Sequence, residues 1–178
     1  PLREQTLLVV GLGHIGGYVA DYAEAMGMRV IGLRRTATPR ESVDVLGTPE
    51  DLERHLPEGD VISVHLRMSP ETAHLFDKAR FAAMKRDALF INTSRGGVVD
   101  EKALIEALDG GHLRGAYLDV FEKEPLSDKS PHWSHPNVLV SPHGADTVTD
   151  MDRRYAGLFA ELLGDFLDDK PFTRQVVS

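Results

Sequence analysis

The chain has 178 residues, a formal net charge of −8 at neutral pH and no cysteine. This length predicts a single domain that can bury a real core, and the acidic balance argues against a nucleic-acid partner. The lack of cysteine excludes disulfides and thiolate metal sites, and no apolar run approaches the ~20 residues of a membrane span, so we expect no metal and a cytoplasmic protein.

Strand and helix patterns alternate along the chain, which indicates parallel βαβ units. Apolar runs predict seven strands, at residues 6–10, 29–33, 43–46, 61–65, 88–92, 115–120 and 137–140. Helical patterns fall at residues 14–26, 79–84, 101–108 and 149–167, and another helix begins near Thr48 and Pro49. Because parallel crossovers are right-handed, we predict an α/β fold, a Rossmann-type doubly wound parallel sheet with strand order 3-2-1-4-5-6-7.

Two of the helices carry further local signals. Asp100 is expected to cap the helix at 101–108, and Gly110 with Gly111 to end it. The first helix has apolar residues at the spacing of one helix face: Ile15, Val19, Tyr22, Ala23 and Met26.

A glycine-rich turn, G-x-G-x-x-G, lies between the first strand and the first helix. Gly11 permits the tight turn, Gly13 lets phosphate oxygens approach the backbone, and Gly16 lets the helix pack near the strand. The free N–H groups of the first helical turn then face the anion, with His14 and Ile15 on the turn. The pattern predicts a dinucleotide-binding domain over residues 1–148, followed at 149–178 by a long helix and a C-terminal segment.

The end of the second strand indicates which nicotinamide cofactor is used. An acidic residue usually stands there and binds the ribose 2′-hydroxyl, but this chain has Arg34, Arg35 and Thr36. Guanidinium groups pair well with phosphate oxygens, and the threonine adds a hydroxyl donor. We therefore predict NADP(H) in preference to NAD(H), with a solvated basic loop as the plainer alternative.

Three later segments each run from an apolar strand to a polar group at the strand's carboxyl end. They contribute Arg95, Glu124 and His143. In an open α/β sheet, ligands bind at that edge, so an arginine, a carboxylate and a histidine are expected to converge beside the cofactor.

The ordered set Asn-x-x-Arg-Gly-x-x-Val-Asp, Leu-Asp-Val-Phe-x-x-Glu-Pro and Pro-His, with the glycine turn, resembles the D-isomer-specific 2-hydroxyacid dehydrogenases. The arginines after the second strand are similar to those of the glyoxylate and hydroxypyruvate reductase branch. The resemblance implies that Arg95 binds the carboxylate and carbonyl oxygen of a small 2-oxo or 2-hydroxy acid. It implies that His143 is the acid in reduction and the base in oxidation, paired with Glu124.

The resemblance also assigns further residues to the cofactor. The residues so assigned are His65, Leu66, Arg67, Thr72, Thr93, Ser94, Asp119 and Gly144. After His143 the family often continues with Ile-Gly, so Gly144 departs from the motif and the details of its nicotinamide contact stay open. Asp119 matches the residue that the family directs to the nicotinamide carboxamide, although it could instead form hydrogen bonds at its strand end. Arg67 replaces the usual proline, and either assists a 2′-phosphate or points to solvent. His132 and His135 lie in a Pro-flanked loop, where metal binding is not expected.

The family has a second, substrate-binding lobe, and this chain begins at Pro1 just before a core strand. We therefore expect a piece of a longer enzyme that turns over poorly by itself, and a homodimer formed through residues 98–108 and 121–133. Two alternatives stay open. One is a cofactor-sensing module like the corepressors that share this fold, and the other is an NAD-linked relative of phosphoglycerate or formate dehydrogenase.

Overall fold

The computed structural model describes residues 1–36, 38–145 and 147–171. The chain divides into two compact units, Pro1–Ala145 and Asp146–Ser178. The first unit contains seven strands: β1 (Thr6–Val10), β2 (Arg29–Leu33), β3 (Val45–Gly47), β4 (Val61–Val64), β5 (Leu89–Asn92), β6 (Gly115–Leu118) and β7 (Val138–Val140). Its α-helices are α1 (His14–Ala25), α2 (Leu52–His55), α3 (Lys78–Ala83) and α4 (Glu101–Asp109). The second unit contains α5 (Met151–Leu167).

All seven strands are parallel and lie in the order β3-β2-β1-β4-β5-β6-β7. The predicted doubly wound sheet is therefore confirmed. The strand register aligns one row of residues near the carboxyl ends: Leu33, Val10, Val64, Asn92, Leu118 and Val140. The segments that follow these residues consequently emerge together at a single edge of the sheet.

Each face of the sheet has its own apolar core, because side chains alternate along a strand. On β1, Leu8 and Val10 join one cluster, which includes residues of α3 and α4. Leu7 and Val9 join the other cluster, which includes Ala20 and Ala23 of α1. Helices on both faces complete the doubly wound architecture.

The apolar face predicted for α1 is only partly confirmed. Ala23 is buried and Val19 packs against the core, whereas Ile15, Tyr22 and Met26 are exposed. The side facing the sheet consists of small residues: Gly16, Gly17, Ala20 and Ala23. A Cβ on Gly16 would lie 2.3 Å from the carbonyl oxygen of Gly11. The helix approaches the strand turn so closely that only small residues fit beneath it, and the bulky side chains face outward.

The capping signals are confirmed. Thr48 and Asp51 form a capping box in which the Thr48 N–H donates to Asp51 Oδ2 at 2.8 Å, although a 3₁₀ turn precedes the short α2. Asp100 Oδ1 accepts from the Ala103 N–H at 3.0 Å, and Gly110 is the C-cap of α4. Observed strand ends differ from the predicted ones by up to two residues, the usual uncertainty of such boundaries.

Within the described residues, no helix has the length and apolar character needed to span a membrane.

Candidate active site and cofactor-binding edge

The glycine turn has the geometry that a pyrophosphate requires. Gly11 has φ +100°, and a Cβ there would lie 2.4 Å from the His65 carbonyl oxygen, so another residue would be strained and would clash. A Cβ on Gly13 would have no neighbour within 4 Å, so the space above this residue is open. Gly13 is also the N-cap of α1 and provides no side-chain cap. The first N–H groups of the helix are thus free to bind an anion, and the residues fit a dinucleotide.

The Arg34–Thr36 segment begins directly beside this turn. The N–H groups of Gly11 and Leu12 both donate to the Leu33 carbonyl, at 3.1 and 2.8 Å. Arg34 Nη1 donates to the Thr38 carbonyl at 3.4 Å, and Arg35 and Thr36 are exposed. The three side chains predicted for a 2′-phosphate therefore stand next to the predicted pyrophosphate turn.

The loop after β4 lies at the same carboxyl edge of the sheet. His65 is partly buried, and burial lowers its pKa; its Nε2 lies 2.9 Å from Ser63 Oγ. The Thr72 hydroxyl braces the loop, donating to the Arg67 carbonyl at 2.8 Å and accepting from the Ser69 N–H at 2.8 Å. Leu66 packs against the core, while Arg67 is exposed.

Asn92 shapes the segment that carries Arg95. Its side chain is buried, accepts from the backbone N–H and hydroxyl of Ser94 at 3.0 and 2.8 Å, and donates to the Arg95 carbonyl at 3.1 Å. Arg95 Nη1 donates to the Ser94 carbonyl at 2.6 Å. Next to it, a Cβ on Gly96 would lie 1.8 Å from the Phe121 carbonyl carbon. The Arg95 loop is thus fixed directly against the segment that leads to Glu124.

Glu124 and His143 form a hydrogen-bonded pair. His143 Nδ1 lies 2.6 Å from Glu124 Oε2, and Glu124 Oε1 accepts from the Phe121 N–H at 2.9 Å. Burial acts to raise the pKa of Glu124, but the bonds from His143 and Phe121 outweigh it, so that the pKa lies below its usual range. The ionised carboxylate can only accept. The Nδ1 atom therefore carries a hydrogen, which leaves Nε2 as the nitrogen that can exchange a proton with a substrate.

Asp119 anchors the segment that carries His143. The residue is 1% exposed, and its carboxylate accepts from the N–H groups of Gly144 and Ala145, each at 3.0 Å, and from the Ser141 hydroxyl. Burial would raise the pKa of Asp119, yet these hydrogen bonds lower it overall. The structure gives this carboxylate the strand-end role that was the plainer alternative; a contact with the nicotinamide carboxamide stays a prediction.

One cavity of about 310 Å³ brings the three predicted catalytic side chains together. Arg95, Glu124 and His143 all line it, with Met68, Phe121 and Glu122 among their neighbours. The three side chains come from the ends of β5, β6 and β7, so the convergence follows from the parallel register. Within the described residues, no cluster of three or more His, Cys, Asp or Glu side chains could hold a metal ion.

Comparison with known proteins identifies the family. The model of the D-isomer specific 2-hydroxyacid dehydrogenase NAD binding domain matches residues 1–145. The chain belongs to this family. The predicted resemblance is therefore confirmed, and the matched residues are those of the family's NAD binding domain.

Relatives within the 2-hydroxyacid dehydrogenases carry more than one name. The chain is 40% identical over 170 residues to glyoxylate reductase of Aeropyrum pernix, covering 95% of this chain and 50% of that protein. It is 37% identical over 162 residues to D-3-phosphoglycerate dehydrogenase of Methanocaldococcus jannaschii, covering 90% and 30%. It thus spans half, or less, of the length of these curated relatives.

A solved structure of the same family is similar throughout the domain. The D-isomer specific 2-hydroxyacid dehydrogenase of Xanthobacter autotrophicus Py2, crystallised with NADPH and MES, has a TM-score of 0.89 and 39% identity. The match covers 99% of this chain and 72% of that one.

Sequence reasoning gave no role to several residues that shape the candidate site. Asn92 opens one of the recognised motifs and is buried, and Ser141 directly follows β7 beside another. A polar residue at the end of an apolar strand was the available signal. Met68 touches Gly97, where a Cβ would lie 2.9 Å from its Cε, and lines the cavity with Arg95. No local pattern marks Met68, because the contact joins loops after different strands.

A first prediction concerns the glycines of the phosphate turn. Gly16→Ala should lower the free energy of unfolding by roughly 1–3 kcal/mol, because the new methyl group overlaps the Gly11 carbonyl. Gly13→Ala meets no neighbouring atom, so it should cost less stability than Gly16→Ala while weakening cofactor binding. Thermal melts and calorimetric titrations with NADPH check both results. Normal cofactor affinity in a folded Gly13→Ala variant would contradict the proposed phosphate site.

Proposed function

We propose that this chain is the cofactor-binding lobe of an oxidoreductase that transfers hydride between NADP(H) and a small 2-oxo or D-2-hydroxy acid. Glyoxylate or hydroxypyruvate is the proposed type of substrate. The observation that carries the proposal is the shared cavity, in which a guanidinium and a carboxylate-paired imidazole lie at the carboxyl edge of the sheet.

The chemistry assigns each group a role. Hydride addition to a 2-oxo acid develops negative charge on the carbonyl oxygen, and the bound nicotinamide supplies that hydride. The Arg95 guanidinium binds the substrate carboxylate and stabilises the developing oxyanion. His143 delivers a proton from Nε2 to the oxygen and, in the reverse direction, takes it back. Glu124 holds the imidazole through Nδ1 and stabilises its charged form.

Residues of the phosphate edge are proposed to hold the dinucleotide. The glycine turn and the first N–H groups of α1 would bind the pyrophosphate, and His14 and Ile15, the first residues of α1, would lie beside it. Arg34, Arg35 and Thr36 would bind the 2′-phosphate of NADP(H), which supports NADP(H) over NAD(H). The remaining proposed contacts are His65, Leu66, Arg67, Thr72, Thr93, Ser94, Asp119 and Gly144.

The cofactor preference makes a direct prediction. The double variant Arg34→Asp/Arg35→Ala should weaken NADPH binding by about 10- to 100-fold, because two charge-assisted phosphate contacts are lost. NADH lacks the 2′-phosphate, so its affinity should stay within about twofold. Calorimetric titration with each cofactor measures the ratio. Equal losses for both would refute the assignment of these arginines.

A panel of 2-oxo acids tests the proposed substrate class. The intact parent protein would be assayed with NADPH and NADH against glyoxylate, hydroxypyruvate and 3-phosphohydroxypyruvate. Preference for glyoxylate or hydroxypyruvate with NADPH is expected. Preference for the phosphorylated acid with NADH would instead favour the phosphoglycerate dehydrogenase reading, which the Methanocaldococcus relative keeps as a second candidate. No turnover despite cofactor binding would favour a sensing module.

The wider organisation is also proposed. Residues 1–148 would form the dinucleotide-binding domain, and residues 149–178 would lead toward a second, substrate-binding lobe. A parent protein with two lobes agrees with the relatives, which are at least twice as long as the region that matches this chain. Homodimerisation is proposed through residues 98–108 and 121–133, where Trp133 is exposed.

A further inference from the structure

An arginine–carboxylate clamp joins the loop after β2 to α1. Arg40 Nε donates to Asp21 Oδ1 at 2.9 Å, and its Nη2 donates to Asp21 Oδ2. Ser42 Oγ donates to Oδ1 at 2.6 Å. The hydrogen bond from Arg40, followed by that from Ser42, lowers the pKa of Asp21. The carboxylate is therefore ionised at neutral pH, and the pair is bidentate, the geometry that gives an arginine both strength and direction.

Helix α1 is shaped to receive this guanidinium. A Cβ on Gly17 would lie 2.8 Å from Arg40 Nη1 and 2.9 Å from its Cζ, so the charged group lies against bare helix backbone. The phosphate turn accounts for Gly11, Gly13 and Gly16 but gives no reason for a fourth glycine. The contact with Arg40 supplies one.

The clamp completes a loop that is fixed at both ends. At its start, the Leu33 carbonyl accepts from the N–H groups of Gly11 and Leu12, at 3.1 and 2.8 Å. At its end, Arg40 is held on α1 by Asp21. The arginines proposed for the 2′-phosphate lie between these two points. A segment fixed at both ends loses less conformational freedom when it binds a ligand, which favours affinity.

We propose that Asp21 and Arg40 are positioning residues that set the preference for NADP(H) over NAD(H). They do so by holding the loop with Arg34, Arg35 and Thr36 in reach of a ribose 2′-phosphate. The inference rests on the proposed function and extends it to residues that touch neither the phosphate turn nor the catalytic cavity. Neither Asp21 nor Arg40 is a catalytic residue.

Because Asp21 is negatively charged, the direction in which its neutralisation changes NADPH affinity distinguishes two mechanisms. If Asp21 acted only through its negative charge, its neutralisation would favour an anionic 2′-phosphate and tighten NADPH binding. If Asp21 acts by holding Arg40, its neutralisation releases the loop and weakens NADPH binding. The two mechanisms therefore predict opposite effects of Asp21→Asn.

The experiment measures the dissociation constants of NADPH and NADH by calorimetry for the wild type and four variants. These are Asp21→Asn, Arg40→Gln, the double variant, and Gly17→Ala, which keeps both charges but displaces the guanidinium. Each single variant should weaken NADPH binding about fivefold and change NADH binding by less than about twofold. The double variant should lose no more than the larger single loss, because the two residues act as a unit.

A matched control lies at the start of β2, the strand that leads into the loop of Arg34 to Thr36. Arg29 at the start of β2 pairs with Glu58, Nη1 to Oε2 at 2.9 Å, and both pairs are similarly exposed. Arg29→Gln should leave both dissociation constants unchanged. Because exposed pairs contribute little to stability, the charge variants should fold, and thermal melts check this for them and for Gly17→Ala.

The possible outcomes distinguish failure of the positioning role of Asp21 and Arg40 from failure of the proposed preference for NADP(H). Unchanged cofactor ratios in Asp21→Asn and Gly17→Ala, equal losses for both cofactors, or tighter NADPH binding in Asp21→Asn would each overturn the inference. If the wild type prefers NADPH and Arg34→Asp/Arg35→Ala abolishes that preference, the proposed function stands whatever the clamp variants show. If the wild type has no such preference, the proposed cofactor and the inference fail together.

Discussion

Replacement of Arg95 by alanine is expected to lower kcat/KM for a 2-oxo acid by roughly 10³-fold, or about 4 kcal/mol of transition-state stabilisation. The guanidinium lines the cavity of His143 and Glu124 and is the cationic group proposed to face the developing oxyanion. Its own loop is held by Asn92 and by the close backbone contact at Gly96. Truncation of the side chain should therefore remove the charge without unfolding the loop.

Steady-state kinetics on the intact parent protein measure the loss of kcat/KM, and calorimetric titration with NADPH measures cofactor binding. The NADPH dissociation constant should change by less than about twofold, because the proposed contacts of Arg95 are with the substrate. Arg95→Lys keeps the charge but loses the planar fork, so it should recover only part of the activity. Arg29→Ala, at the start of β2, is the control and should leave both kcat/KM and the NADPH dissociation constant unchanged. A folded Arg95→Ala variant with ordinary activity would contradict the assigned role.

The sequence predicted the sheet because its signals are local and repeat along the chain. Apolar runs followed by glycine or polar residues mark strand ends, and right-handed crossovers leave few topologies. The chemistry at the edge was predictable for the same reason, since Arg95, Glu124 and His143 each follow an apolar run. A parallel sheet aligns such ends, as the register from Val64 to Val140 shows.

Features that depend on close approach between segments were not predictable. The outward stripe of Ile15, Tyr22 and Met26 has helical periodicity, but periodicity cannot tell which face meets the sheet when the opposite face consists of glycine and alanine. The clamp of Asp21 and Arg40 joins residues 19 apart through a loop without periodicity. Both follow from distances between backbones, which no local pattern encodes.

The polar side chains at the carboxyl edge of the sheet fall into two sets, according to whether they bond to neighbouring protein groups. Asp119 and Thr72 were assigned to the cofactor by resemblance, yet their side chains bond to neighbouring loop residues. Such bonds hold the segments that carry His143 and Arg67. The edge therefore has an outer set of groups that are free to meet a ligand and an inner set that fixes where the outer groups stand.

Replacement of His143 by asparagine is expected to lower kcat by about 10³-fold while leaving NADPH binding unchanged. His143 has φ +52°, a conformation that asparagine tolerates better than most residues. The asparagine amide can still donate to Glu124, so the variant removes the proton donor and keeps the loop. Stopped-flow and steady-state kinetics measure the loss. Normal turnover in this variant would exclude His143 as the acid.

The partner carboxylate adds a dependence on pH. Glu124→Gln should reduce kcat by about 10²-fold or more, because a neutral amide no longer stabilises the charged imidazole. Since the folded-state pKa of Glu124 lies below the unfolded value, its contribution to stability is complete above the unfolded pKa. That contribution is lost as the pH falls through the folded-state pKa. Melting temperatures of wild type and Glu124→Gln should thus differ at neutral pH and converge in acid. A difference that grew as the pH fell would mean that the carboxylate is not the stabilised form in the folded protein.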